Sequence, residues 1–124
     1  MTFTVENLAP AHAVILVTHT GDVTASDMRA VGKQIQAMAD GSTPVRVLSD
    51  YAGATSMPGA IELLALIDLL EEAGVGSGFR QALVWPEDDD ARLGIDVWRT
   101  AETNEGLKAK AFGDRESALA WLEA

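Results

Sequence analysis

Two rhythms of apolar spacing alternate along this chain. Short β-branched and aliphatic runs predict strands, and apolar residues three and four apart predict helices. Residues 2–6 alternate modestly and predict an edge strand, with a turn over 7–10. Residues 12–20 (HAVILVTHT) are apolar on both faces: Ala13, Ile15 and Val17 on one, Val14 and Leu16 on the other. A strand buried on both sides requires a sheet covered by helices. Gly21-Asp22 is expected to end it. Thr24 followed by Asp27 has capping-box spacing. Met28, Val31, Ile35 and Met38 then form one helical stripe, with Gly41 placed to end the helix and Pro44 to stop it resuming.

The stretch VRVLSDYAGATSMPGA, residues 45–60, reads as a buried strand over 45–50, a small-residue loop, and a helix over 59–73 that begins just after Pro58. Gly74 to Gly78 is a glycine-rich connector, and residues 79–85 predict another strong strand. Asp88, Asp89 and Asp90 sit where a helix begins, and negative charge there complements its dipole. Leu93, Val97 and Ala101, with Gly94 and Trp98 beside them, are expected to give that helix a broad apolar side. Residues 108–112 form a last short strand whose two lysines suit a sheet edge. Asp114 then caps a helix burying Ala118, Leu119, Trp121 and Leu122. The order ββαβαβαβα predicts an α/β fold: a single mixed, mostly parallel sheet of about five strands with four helices. Residues 1–124 are expected to form one domain.

Composition narrows the function classes. Nine Lys and Arg face 19 Asp and Glu, a formal net charge of −10. Nucleic-acid binders need a cationic footprint, so that class is excluded. The chain contains no cysteine, which removes disulfides, thiol catalysis and thiolate metal sites. The amino terminus lacks the basic-then-apolar pattern of a signal peptide. Residues 60–70 are interrupted by Glu62 and Asp68 and are too short to span a bilayer. A cytoplasmic protein is expected.

The crevice at the carboxyl ends of parallel strands is where α/β proteins usually dock ligands and partners. The loop expected there holds no nucleophile–base pair, no metal cluster and no phosphate-binding glycine motif, and no cofactor is expected. Around a helical wheel, Leu63, Leu66, Ile67 and Leu70 make the stripe suited to the sheet, with Asp68, Glu71 and Glu72 opposite. Ile61 and Leu64 fall on that opposite side too. The first two turns are therefore apolar all round and need a second surface to pack against. Tyr51, Met57, Ile61 and Leu64 define a hydrophobic docking patch, or else a neighbouring element covers them. Asp50 and His19, each at a strand end, would make a minimal acid/base pair if the fold joined them. The plainer reading gives Asp50 loop backbone N–H groups to accept and leaves His19 a half-buried strand residue. Three consecutive aspartates diverge, so Asp88 to Asp90 suit capping better than a divalent cation.

The opening strand pair through Gly21-Asp22-Val23-Thr24, the step Val47-Leu48-Ser49-Asp50, and the ending Phe112-Gly113-Asp114 through Trp121-Leu122 carry a family likeness. With them, the chain resembles the SpoIIAA-like branch of the STAS superfamily, related in fold to CRAL-TRIO lipid-transfer domains. The resemblance implies helices largely on one side of the sheet. It also implies a phosphorylatable serine opening the helix after the central strand, where this chain has Met57-Pro58-Gly59 instead. Thr55 and Ser56 lie slightly earlier, and Ser56 suits a helix cap. The expected function is a non-enzymatic binding or regulatory module that offers residues 50–64 to a protein partner or a second copy, with Asp50, Tyr51, Ser56, Met57, Ile61 and Leu64 as the site. The alternative is a lipid-like ligand held under the 59–72 helix, with peripheral membrane association.

Overall fold

In the computed structural model the described residues are 3–9, 11–38, 44–72, 79–104 and 106–124, the side chains of 69–72 excepted. The elements run β1 (Phe3–Asn7), β2 (Ile15–Asp22), α1 (Ala25–Met38), β3 (Arg46–Ser56), α2 (Ala60–Glu72), β4 (Arg80–Val84), α3 (Asp89–Asn104), β5 (Lys108–Phe112) and α4 (Arg115–Glu123). This is the expected order. Gly41, the Gly74–Gly78 connector, and the side chains of Leu70, Glu71 and Glu72 lie outside the described residues.

The five strands pair in chain order, β1-β2-β3-β4-β5. β1 is antiparallel to β2, and every later pair is parallel. Each parallel strand is added on the same side of its predecessor. Right-handed crossovers therefore place α1, α2 and α3 on one face, the front. α4 follows the last strand and closes the back.

Strand alternation assigns the side chains to these faces. Ile15, Val17, Val47, Tyr51 and Leu83 point forward into clusters with Met28 and Val31 of α1, Leu63, Leu66 and Ile67 of α2, and Ile95, Trp98 and Ala101 of α3. Leu16, Leu48, Ala82 and Val84 point back against Ala118 and Leu122. Each fully buried aliphatic side chain stabilises the fold by roughly 1.5–3 kcal/mol. No helix among the described residues is long and apolar enough to cross a membrane.

The caps form as their residue types dictate. Asp27 N–H donates to Thr24 Oγ1 at 3.1 Å, and Thr24 N–H to Asp27 Oδ2 at 3.4 Å. Asp88 Oδ1 accepts from Ala91 N–H, and Asp114 Oδ1 from Ser117 N–H at 2.7 Å. That last bond holds the exposed Asp114 carboxyl below its ordinary range.

Three expectations need correction. β2 includes Gly21, at φ +68°, and Asp22, two residues beyond the expected last strand residue Thr20. β3 does not end at Asp50 but runs to Ser56, and its register against β2 shifts between Thr18 and Thr20 and again before Asp22. Its ladder with β4 ends at Asp50↔Val84, so residues 51–56 and the end of β2 extend past β4 as a two-stranded ribbon. The inner stripe of α3 is Ala91, Ile95, Trp98, Ala101 and Glu102, whereas Leu93 and Val97 face outward.

Candidate functional site

The step from β3 to α2 is the centre of the candidate site. At Asp50 the back face of the sheet meets the start of α4. Asp50 Oδ1 accepts Ala52 N–H at 2.9 Å, and Oδ2 accepts Arg115 Nε at 2.5 Å. Arg115 also donates to Thr18 Oγ1 at 3.3 Å. Thr18 and Asp50 are register partners and share that face.

His19 and Tyr51, one residue further along each strand, point forward instead. Their rings stack with centroids 4.5 Å apart and planes within 3°. The structure therefore separates the acid/base pair considered above, because Asp50 and His19 project from opposite faces. His19 is buried with Nδ1 unpartnered. Its pKa falls to about 4, since desolvation outweighs the opposing pull of the Asp27 and Asp50 charges.

Tyr51 is 1% exposed, so it belongs to the core beneath α2 and not to a surface patch. Burial pushes its hydroxyl pKa upward. Ser56 is half-buried, and its hydroxyl donates to Asp22 Oδ1, tying the ribbon's end together. Met57 is half-buried against Gly94 of α3, where a Cβ would stand 2.4 Å from Met57 Cβ. Glycine at position 94 lets this connection lie directly on α3.

α2 then presents two unlike sides. Leu63, Leu66 and Ile67 are sealed in one cluster with Tyr51, Leu83 and Ile95. These side chains fill the underside of the helix where a lipid-like ligand was considered, and leave that reading without support. On the outside, Ile61 is 85% and Leu64 56% exposed. The surplus apolar side chains read from the wheel do lie in solvent. Leu93 and Val97 of α3 are exposed as well.

A row of buried polar groups beneath these helices was not read from the sequence. Glu102, wholly buried on α3, faces Gln81 of β4, which faces Ser49 of β3. Burial pushes the Glu102 carboxyl well above its ordinary range and so favours the protonated form. In that form its O–H donates to the Gln81 carbonyl, while Gln81 Nε2 donates to Ser49 Oγ at 2.9 Å. In the ionised form the turned amide donates to the carboxylate at 2.5 and 2.6 Å and accepts from Ser49 Oγ. Either way every member has a partner. Ser49 in turn bonds the Tyr51 hydroxyl, which links the row to the His19 stack. Two sequence signals mark this row: Gln81 shares the forward face of β4 with apolar Leu83, and Glu102 follows Ile95 and Trp98 at helical spacing. Among the described residues, no group of three His, Cys, Asp or Glu is placed to hold a metal ion.

The model of the SpoIIAA-like family matches residues 14–123. The chain belongs to the SpoIIAA-like family. Its fold is similar to that of an uncharacterized DUF3478-family protein from Shewanella loihica PV-4, with a TM-score of 0.62, 22% identity, and 97% of this chain and 91% of that one covered. It is also similar to the anti-sigma factor antagonist SpoIIAA in its unphosphorylated form, at TM-score 0.55 and 13% identity, with 98% of each chain covered. A search of curated proteins finds no match. At these identities the structural likeness establishes the SpoIIAA-like fold.

Proposed function

We propose that this SpoIIAA-like protein is a non-enzymatic binding or regulatory module that contacts a protein partner through residues 50–64. The observation that carries the reading is the exposure of Ile61 at 85% and Leu64 at 56% on a helix whose other side is sealed. Grouped apolar side chains in water are a recurring mark of protein contact surfaces. Ile61 and Leu64 make the contact, and Met57 seats the start of α2 against Gly94. Asp50, Tyr51 and Ser56 act through position: the first anchors β3 to α4, the second supports α2 from below, and the third fastens the ribbon. A neighbour of the same fold is named an anti-sigma factor antagonist, a regulatory role in that protein which supports the reading.

The test compares wild type with Ile61→Asp/Leu64→Asp by capture of partners from the native host and by sedimentation. Loss of a captured protein with the folding transition unchanged is expected. Identical partners and an identical sedimentation coefficient for both proteins would overturn the proposal. A wild-type dimer lost in the variant would make a second copy the partner.

A further inference from the structure

We infer that the docking surface is a groove between α2 and α3, and that its occupant is an amphipathic helix with an apolar stripe flanked by basic residues. The inference rests on the docking reading above and deepens it. Both helices return from the carboxyl ends of neighbouring parallel strands, so they run side by side in the same direction. Gly94 receives Met57, which turns the Gly94–Val97–Ala101 flank of α3 toward α2. On a parallel neighbour of the same hand, the facing flank of α2 is the one carrying Ala60, Leu64 and Ile67. Leu64 and Val97 therefore face one another across the cleft, and Ile61 and Leu93 stand on its two crests. All four are exposed, Leu93 at 68% and Val97 at 40%. Spacings of three on α2 and four on α3 suit the ridge of a third helix.

Charge selects the occupant. The exposed acids Asp68 of α2 and Asp89, Asp90 and Asp96 of α3 border this oil. α2 carries no basic residue. Arg92 lies over the Trp85 ring at 4.7 Å and Arg99 pairs with Asp96 at 2.6 Å, both on the flank of α3 turned away from α2. A second copy would bring two acidic borders together, within a protein already at −10. A helix with lysine or arginine beside its apolar stripe matches both features.

The probe is a synthetic helix with leucines at i, i+3, i+4 and i+7 and lysines elsewhere, titrated into the intact protein and followed by amide chemical shifts. Controls are the same helix with glutamate for lysine, and the lysine helix with its leucines replaced by serine. Binding of the first helix alone is expected, with shifts centred on Ile61, Leu64, Leu93 and Val97. Leu93→Ser/Val97→Ser and Ile61→Ser/Leu64→Ser are each expected to weaken it by about tenfold or more. If only the α2 pair matters, docking stands and the groove falls. Equal binding of the glutamate helix overturns the charge argument. A concentration-dependent dimer that excludes the probe makes the occupant a second copy. Binding to phosphatidylcholine vesicles without binding to the probe makes it a membrane. Each of these results overturns the inference.

Discussion

The two sides of the α2–α3 layer break the usual pattern in opposite senses. The inner side, expected to be all oil, holds Glu102, Gln81, Ser49 and His19. The outer side, expected to be polar, holds Ile61, Leu64, Leu93 and Val97. Glu102, Gln81 and Ser49 are linked by hydrogen bonds into a row and His19 stacks on Tyr51, which limits the number of ways the helices can sit on the sheet. The outer departures stand exposed. Polar groups inside thus constrain the arrangement, and the apolar groups outside carry the proposed contact. Substitutions on the two sides should accordingly separate stability from binding.

Tyr51→Ala tests the inner side most severely. It removes a fully buried ring beneath α2 and the stacking partner of His19, so a loss of about 3–5 kcal/mol is expected in denaturant unfolding. An effect below about 1 kcal/mol would mean that Tyr51 does not support the helix layer.

The pH dependence comes next in size. His19 has a folded pKa of about 4 against an ordinary 6.5, so between these values the unfolded chain binds more protons. Stability from this group is present above pH 6.5 and is lost as pH falls toward about 4, by about 3 kcal/mol in all. Glu102 acts in the opposite sense: its folded pKa is raised, so stability declines as pH rises above 4.5 toward the folded value. Above pH 4.5 the Glu102 slope opposes that of His19. Glu102→Gln should remove the decline on the alkaline side and leave the acid loss in place. Unfolding midpoints measured across pH check both signs.

Gly94→Ala joins the two sides. Alanine favours helix by about 1 kcal/mol over glycine, but its Cβ would stand 2.4 Å from Met57 Cβ. The clash is expected to win, with a net loss of about 1–2 kcal/mol and displaced amide shifts over residues 57–64. A stabilised variant with unmoved shifts would show that the connection is loosely seated.

Ile61→Asp should have the smallest effect on folding, within about 0.5 kcal/mol, because the side chain is already in water. A loss above about 2 kcal/mol would place Ile61 in the fold rather than at an interface.

Much of this was legible in the sequence because local chemistry decided it. Thr24, Asp88 and Asp114 cap as their side chains dictate, and the element order followed from the two apolar rhythms. The wheel placed Ile61 and Leu64 outside without any tertiary information, because α2 has only one sheet to rest on. What failed depended on partners distant in the chain. Tyr51 is buried because β3 outruns β4 and α2 folds back over the extension, which no local signal at Asp50 announces. The apolar side expected from Leu93 and Val97 is not the buried one, because Glu102, a charged residue type, completes the inner stripe. The separation of Asp50 from His19 is a matter of register: strands one residue out of step send their side chains to opposite faces.

The acids bordering the outer oil have a kinetic consequence. Exposed charge acts over about a Debye length, roughly 8 Å at physiological ionic strength, whereas desolvation of leucine and isoleucine begins only at contact. Added salt should therefore slow the arrival of a cationic partner and leave its residence time nearly constant. The same border would repel acidic proteins in a crowded cell before their apolar surfaces could touch.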